Sequence, residues 1–204
     1  MKKTLLVSSL LLIGLSHNAC VKNDMNLPSS PQAYEQPITV TPEPINHPTS
    51  TPPSSTLGET HQLKTVQGPI ISIQETSNGF IFPQYQDKIV LLQIFGKECE
   101  YCFEEMPFIQ GLARKYGEKV NIISLQAQKQ MTPSVAQSII QRFNLNHPII
   151  DRREASNLLL FISSSYGWNG VLPYTLIVKN GVTEYSFSGE SDHQEFEEAI
   201  RGLL

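Results

Sequence analysis

Two of the three cysteines in this chain of 204 residues are separated by only two residues, and this spacing is suited to redox chemistry. Cys99 and Cys102 fall on the first turn of a predicted helix, where the spacing places their Cα atoms about 5–6 Å apart, within the range of a disulfide bond. The free N–H groups at a helix N-terminus favour a thiolate. We therefore expect Cys99, the outer residue, to be the nucleophile and Cys102 to be the resolving thiol.

A zinc site and a structural crosslink are the alternative uses of such a pair. A zinc site needs further ligands, but the sequence has no second cysteine pair, and His147 and His193 stand alone. A structural disulfide that closes so small a loop adds little stability. The sequence therefore predicts a redox-active disulfide, with no metal and no cofactor at the site.

The cysteine pair comes directly after a predicted buried strand. Ile89–Phe95 is an almost continuous apolar run, which is typical of a strand covered on both faces in a parallel sheet. Between Met106 and Tyr116 the apolar residues recur with helical spacing. The pair is therefore predicted to lie where a buried strand gives way to a helix N-terminus.

Further elements follow from apolar periodicity and turn residues. Strands are predicted over 70–75, 80–82, 120–125, 148–150, 174–178 and 184–187, and Asn-Gly turns join the first two and the last two into hairpins. Helices are predicted from Pro133, over 155–164, and from Ser191, where Gln194 completes a capping box. This order predicts an α/β fold with a central sheet and helices on both faces.

From about Leu63 to its end, the chain resembles the TlpA/ResA/DsbE-like thiol:disulfide oxidoreductases, many of which are periplasmic and membrane-anchored. The stretch Cys99-Glu100-Tyr101-Cys102-Phe103-Glu104-Glu105-Met106-Pro107 fits the C-x-x-C-x-x-E-x-P pattern of this group, and Gly170-Val171-Leu172-Pro173-Tyr174-Thr175 corresponds to the loop that carries its cis-proline. The resemblance implies a thioredoxin-like fold: a central mixed β-sheet flanked by helices on both faces, with an N-terminal β-hairpin and a β-α insert. The chain departs from the pattern at Glu98, where members usually carry Trp, and at Gln93, where thioredoxin keeps a buried aspartate.

The resemblance also implies roles for three further residues. Glu105 would be a partly buried carboxylate that takes and returns the proton of Cys102. Leu172 and Pro173 would be joined by a cis bond next to the cysteines, with the backbone of Leu172 free to pair with an extended substrate. The alternatives are a solvated helix charge at Glu105 and a trans proline that opens an edge strand.

The direction of electron flow follows from the charges around the cysteines. Four glutamates crowd the motif, namely Glu98, Glu100, Glu104 and Glu105, and only Lys97 offsets them. Negative charge raises the pKa of a thiol, so the dithiol form is less favoured and the pair is less oxidising. This argues for a reductase. The resemblance points the same way, to a protein that takes electrons from a membrane thiol donor and reduces exported client proteins, with apocytochrome c as one client.

Two other functions remain open at this point. Tyr101 in the C-x-Y-C arrangement resembles some disulfide isomerases, so an isomerase or oxidase of the same fold is one alternative. The other is a metallochaperone that holds copper on the two thiolates, but metallochaperones of this fold use C-x-x-x-C, and the spacing here is one residue shorter. Nucleic acid is not an expected partner, because the net charge is −4 and no run of Lys or Arg is longer than two residues.

The N-terminal part of the chain has the pattern of an exported, anchored protein. Residues 1–19 show the charged, apolar and cleavage regions of a signal peptide, and the apolar run is too short for a membrane span. Cys20 resembles the acylated cysteine of a bacterial lipoprotein, although His17 departs from that pattern and a simple cleaved signal is the alternative. Residues 20–62 hold eight prolines among Ser and Thr and are predicted to be a disordered tether, which leaves 63–204 as the domain. The expected location is the periplasm, with a lipid anchor in a membrane.

Overall fold

The computed structural model of the protein describes residues 57–204. The predicted signal peptide 1–19, the predicted lipid-attachment residue Cys20 and residues 21–56 of the predicted tether lie outside this part. Within residues 57–204, none of the helices is both long and apolar enough to cross a membrane.

The described part contains eight strands and four α-helices. The strands are β1 Thr60–Lys64, β2 Ile70–Glu75, β3 Phe80–Ile81, β4 Ile89–Phe95, β5 Val120–Gln126, β6 Ile149–Ile150, β7 Tyr174–Lys179 and β8 Val182–Ser188. The helices are α1 Glu100–Tyr116, α2 Pro133–Phe143, α3 Arg152–Tyr166 and α4 His193–Gly202. This order agrees with the predicted α/β arrangement.

A five-stranded mixed sheet with the order β6-β5-β4-β7-β8 forms the centre of the domain. β4 is parallel to β5, which is parallel to β6, whereas β7 is antiparallel to both β4 and β8. All seven residues of β4 are buried, as its continuous apolar run predicts for a strand covered on both faces. The predicted mixed sheet of a thioredoxin-like fold is therefore confirmed, with α2 and β6 as the inserted helix and strand.

Helices cover both faces of this sheet. α1 and α4 pack on one face, where Ile109, Leu112, Phe196 and Ile200 meet Leu91 and Ile177. α3 packs on the other face, where Leu158 and Ile162 meet Leu92 and Leu176. The two faces follow from the alternation of side chains along each strand.

The N-terminal part is a three-stranded antiparallel sheet, β1-β2-β3, and not the two-stranded hairpin that was predicted. The hairpin itself is present, but β1 was missed because its five residues have only one aliphatic side chain, Leu63. Its second inward position is filled by His61, whose Nε2 lies 2.7 Å from Oε1 of Glu75. The predicted domain boundary between residues 62 and 63 is therefore wrong, because it falls inside β1.

The first described residues join the fold at a defined place. The N–H of Gly58 donates to the carbonyl of Glu75 at 2.8 Å, and the hydroxyl of the next residue, Thr76, donates to the carbonyl of Gly181 at 3.1 Å. Gly181 lies in the turn between β7 and β8, and Lys179 pairs with Ile89 at the start of β4. The chain thus enters the domain near the end of the sheet at which β4 begins.

Two helix starts differ from the prediction. α3 begins at Arg152 and ends at Tyr166, so it extends beyond the predicted 155–164 at both ends. α4 begins at His193, and its N-cap is Asp192, whose side chain accepts from the N–H groups of Gln194 and Glu195. The predicted capping role of Ser191 is therefore wrong. A carboxylate next to the helix makes the cap, and the hydroxyl of Ser191 is used elsewhere.

Candidate functional site

Cys99 and Cys102 form a disulfide at the junction of β4 and α1, with their Cα atoms 5.3 Å apart. Cys99 is the N-cap of α1 and has an extended backbone, and its sulfur accepts from the N–H of Cys102 at 3.2 Å. The two sulfurs differ in access, because Cys99 is partly exposed whereas Cys102 is fully buried beside Phe95 and Met106. A reactant in solution can therefore reach the sulfur of Cys99 but not that of Cys102.

The turn before the disulfide is held by hydrogen bonds on both sides. The N–H of Cys99 donates to the carbonyl of Gly96 at 3.2 Å, and its carbonyl accepts from the N–H of Phe103 at the same distance. The N–H of Glu98 donates to Oε1 of Gln128 at 2.8 Å. These contacts fix the exposed sulfur at the start of α1, where the helix N–H groups stabilise a thiolate.

The loop before β7 lies beside the disulfide. The peptide bond between Leu172 and Pro173 is cis, as the resemblance implied. Leu172 packs against the same hydrophobic cluster as both cysteines. Pro173 is buried and its carbonyl accepts from the N–H of Gly189 at 2.8 Å, whereas the backbone of Leu172 has no hydrogen-bond partner among the described residues. This free backbone can pair with an extended peptide.

Glu105 is buried, with only 5% of its surface exposed, in contrast to the exposed Glu104. Its Oε1 accepts from the hydroxyl of Ser191 at 2.9 Å, and its Oε2 accepts from Nε2 of Gln93 at 3.4 Å. Burial raises the pKa of Glu105 above the ordinary glutamate value, and the two hydrogen bonds only partly oppose this shift. A carboxylate with a raised pKa, one helical turn from Cys102, is suited to taking up a proton.

A groove of about 220 Å³ joins Glu105 to the cis-proline loop. Its wall includes side chains from α1, from the loop and from the start of α4, namely Tyr101, Glu104, Glu105, Pro173, Glu190, Ser191 and His193. His193 stacks on Phe108 with ring centroids 3.7 Å apart, and its positive form lowers the pKa of Glu105. No sequence pattern predicts Ser191 or His193 at the site, because both lie in a segment more than 80 residues after Cys102.

Exposed acidic residues surround the disulfide, as the sequence predicted. Glu98, Glu100 and Glu104 are exposed, and Glu190 adds a fourth carboxylate from the segment before α4. Lys97 is engaged with Glu98, with Nζ 2.7 Å from Oε1, and this hydrogen bond lowers the pKa of Glu98. The surface around the disulfide is therefore acidic, and Glu105 is the one glutamate of the motif that is buried.

Among the described residues, one group of histidine and acidic side chains is close enough together to be compared with a metal site. Ligand atoms of Glu59, His61 and Glu75 lie within 4.8 Å of one another. However, Nε2 of His61 and Oε1 of Glu75 are 2.7 Å apart, which is a direct hydrogen bond with no space for an ion between the two atoms. The group is therefore explained by the pairing of β1 with β2.

The sequence is similar to that of proteins named thiol-disulfide oxidoreductases. The chain is 28% identical over 120 residues to a thiol-disulfide oxidoreductase ResA of Bacillus thuringiensis subsp. konkukian (strain 97-27), an alignment that covers 58% of this chain and 65% of that relative. It is 30% identical over 118 residues to the protein of the same name from Bacillus thuringiensis (strain Al Hakam), with 57% and 64% covered. The chain thus spans about 65% of the length of the first of these relatives. It matches no protein-family model.

Solved structures support the fold. A thiol:disulfide interchange protein of the thioredoxin family from Chlorobium tepidum TLS superposes with a TM-score of 0.58 at 13% identity, over 75% of this chain and 99% of that one. StoA from Bacillus subtilis superposes with a TM-score of 0.51 at 16% identity, over 70% of this chain and 96% of that one. At these identities the superpositions establish the fold, which is thioredoxin-like.

Proposed function

We propose that this chain is a thiol:disulfide oxidoreductase of the TlpA/ResA/DsbE-like group, with Cys99–Cys102 as its redox-active disulfide. The similarity to ResA proteins and the thioredoxin-like fold support this proposal. One observation carries the proposal. The disulfide lies at the N-cap of α1, next to a cis-proline loop with a free backbone, and a buried carboxylate lies one turn behind the inner cysteine.

The reaction starts from the dithiol form. The thiolate of Cys99 attacks a client disulfide, a mixed disulfide forms, and one client sulfur leaves as a thiolate. Cys102 then gives its proton to Glu105 and attacks the sulfur of Cys99, which releases the second client thiolate. Two electrons have passed to the client, and the protein is left with the Cys99–Cys102 disulfide that the structure contains.

The backbone of Leu172 holds the client during this attack. An extended client segment adds main-chain hydrogen bonds to the unpaired groups of Leu172 and lies against Pro173. The groove beside Pro173 then receives a client side chain next to Glu105. The acidic residues around the groove favour a client segment with few acidic side chains.

We further propose that the net direction is reduction. The exposed carboxylates around Cys99 oppose the thiolate, and this makes the dithiol a better electron donor. Electrons would come from a membrane thiol donor, and exported proteins with disulfides would be the clients, with apocytochrome c as one candidate. The predicted location is the periplasm, with a lipid on Cys20 as the anchor.

The reduction potential of the Cys99–Cys102 couple tests this direction. Equilibration with glutathione buffers should give a value near that of thioredoxin, about −270 mV, for a reductase. A value near that of DsbA, about −120 mV, would contradict a reductase and favour an oxidase. An intermediate value near that of protein disulfide isomerase, about −180 mV, would favour the isomerase alternative.

The roles of the two cysteines are tested by trapping. Cys102→Ala leaves Cys99 able to attack a client but removes the resolving thiol, so mixed disulfides should accumulate on gels run without reductant. Cys99→Ala is the matched control and should give few, because the remaining sulfur is fully buried. A reversal of this pattern would show that nucleophile and resolving thiol have been exchanged.

A further inference from the structure

A continuous chain of buried polar side chains leads from Glu105 across the central sheet. Oε2 of Glu105 accepts from Nε2 of Gln93 at 3.4 Å, Oε1 of Gln93 accepts from the hydroxyl of Ser124 at 3.2 Å, and this hydroxyl lies 2.9 Å from Nε2 of His147. Each of the four residues is at most 8% exposed. Buried polar groups in such a chain polarise one another, so a change at one end is felt at the other.

The fold places these residues in a fixed order. Gln93 on β4 is directly opposite Ser124 on β5 in the parallel register, so both side chains point to the face covered by α1 and α4. The backbone of His147 is fixed by Gln67, whose Nε2 donates to the carbonyl of His147 at 2.8 Å. The hydrogen-bonded side chains therefore connect α1, two central strands and the loop before β6 without a break.

In each hydrogen bond of this chain of side chains, the donor is the residue on the side remote from Glu105. Oε1 of Gln93 can only accept, so the hydroxyl hydrogen of Ser124 is donated to it. A hydroxyl has one hydrogen, so the hydrogen between Ser124 and His147 must come from Nε2 of the imidazole. His147 is thus in the Nε2–H form, and its Nδ1 has no partner in the described part of the chain. Three donors in series are the arrangement that an ionised carboxylate requires.

When Glu105 is protonated on Oε2, the hydrogen bonds take the opposite arrangement. Its carboxyl hydrogen would be donated to Oε1 of Gln93 after the amide turns over, and Nε2 of Gln93 would donate to Ser124. The hydroxyl of Ser124 would donate to Nε2 of His147, which would then carry its hydrogen on Nδ1. Every contact of the chain is kept in both arrangements. Water that enters the groove at His147 takes the proton from Nε2 and returns one to Nδ1, so the charge of the imidazole does not change.

We propose that Gln93, Ser124 and His147 are positioning residues whose hydrogen bonds reverse direction when Glu105 takes up or releases a proton. The proposal rests on the proposed function only in giving Glu105 the proton of Cys102. During exchange, proton transfer to Glu105 would then be matched by reversal of the chain, and the carboxyl group would have a suitable partner in both states. The protonation state of Glu105 would then determine which ring nitrogen of His147, at the other end of these hydrogen bonds, carries the hydrogen.

Other titratable and charged groups surround both ends of the chain. The groove at Glu105 is lined by Tyr101, Glu104, Glu190 and His193, with Cys102 one turn away on α1. The groove at His147 is lined by Tyr85 and Arg114. Burial lowers the pKa of His147 to about 4, so the ring stays neutral over the range in which Glu105, with its raised pKa, titrates. The hydrogen position on a neutral imidazole can therefore be followed there.

The test is ¹⁵N NMR of the histidine rings in the oxidised full chain, in which neither Cys99 nor Cys102 titrates. The His147 signal is assigned by its loss in His147→Gln. On lowering the pH through the titration of Glu105, and before the ring is protonated near pH 4, His147 should change from the Nε2–H to the Nδ1–H form. A His147 that keeps one form throughout this range would overturn the proposal.

Three variants sharpen the test. Glu105→Gln should abolish the pH-linked change, because residue 105 no longer titrates, and Ser124→Ala should abolish it by breaking the chain. Thr175→Val is the matched control: Thr175 is as buried as Gln93 and lies opposite it on β7, but its hydroxyl is outside the chain, so the change should persist. If Ser124→Ala loses the native amide spectrum, Glu105→Gln alone decides, and a change that persists there contradicts the proposal.

Exchange kinetics separate this proposal from the proposed function. Glu105→Gln could exchange disulfides as fast as the natural protein, while His147 of the natural protein changes form as Glu105 titrates. In that case the proton-acceptor role of Glu105 fails and the reversal of the hydrogen bonds stands. If Glu105→Gln slows exchange while His147 keeps one form in the natural protein, the proposed reversal of the hydrogen bonds is wrong and the role of Glu105 stands.

Discussion

Glu104 and Glu105 are adjacent and carry the same charge, but the fold gives them different environments. The side chain of Glu104 is exposed, whereas that of Glu105 accepts hydrogen bonds from Ser191 and Gln93 in a buried site. The resemblance of the motif predicts that Glu105 is the partly buried carboxylate of the pair. Its two partners were not predictable, since they lie on β4 and in the segment before α4, and only tertiary packing brings them to α1.

Glu105→Gln should slow thiol:disulfide exchange by about a hundredfold, the lower range for loss of a general acid–base group, while leaving the fold intact. Stopped-flow kinetics with a disulfide substrate measure this. Glu104→Gln is the control, because it removes the same charge from a solvated position and should change the rate little. Equal effects of the two substitutions would mean that Glu105 acts only through its charge.

The same variant changes the pH dependence of stability. The folded protein holds the Glu105 proton more tightly than the unfolded chain, because burial raises the pKa of this group. As the pH rises above about 4.3, the unfolded chain releases this proton first, so the free energy of unfolding falls until the folded-state pKa is passed. In Glu105→Gln this fall should be absent, which urea midpoints between pH 4 and 8 measure.

At the scale of elements, the strands and helices with strong periodicity were predictable and those held by tertiary contacts were not. β4 is apolar throughout, and α1 and α4 show helical spacing of buried residues. β1 escaped prediction because the burial of His61 depends on Glu75, fourteen residues away. Short-range patterns carry no information on such a pairing.

The start of α4 shows the same limit in one dipeptide. Ser191 and Asp192 are both residue types that cap helices, so the sequence alone does not decide between them. The structure gives the cap to Asp192, which accepts from two helix N–H groups at 2.8 and 3.2 Å. Ser191 is freed for its contact with Glu105, 86 residues away along the chain.

Substitution of these neighbours should separate helix stability from site chemistry. Asp192→Ala removes the cap and should destabilise the protein by about 1 kcal/mol, measured as a shift of the urea midpoint. Ser191→Ala should shift this midpoint less but raise the pH at which Glu105 titrates, because one donor to the carboxylate is lost. A larger loss of stability in Ser191→Ala would restore Ser191 as the cap.

At the scale of the whole molecule, the anchor and the redox site are predicted to be independent. Cys20→Ser should release the protein into the soluble fraction after cell lysis, because the lipid would no longer be attached. The reduction potential of the Cys99–Cys102 couple in this variant should be unchanged, since Cys20 is separated from the described domain by more than thirty residues. Unchanged retention in the membrane fraction would contradict the lipid attachment, and a natural chain found in the soluble fraction would favour a simple cleaved signal.

The first described residues and the redox site lie at opposite ends of the central sheet. The first described residues lie near the end of the sheet where β4 begins, and the disulfide follows the other end of β4, about 20 Å away for a strand of seven residues. The described domain therefore has two poles, with Gly58 near one and the partly exposed sulfur of Cys99 at the other. The partly exposed sulfur of Cys99 can therefore be reached from the pole opposite to the first described residues.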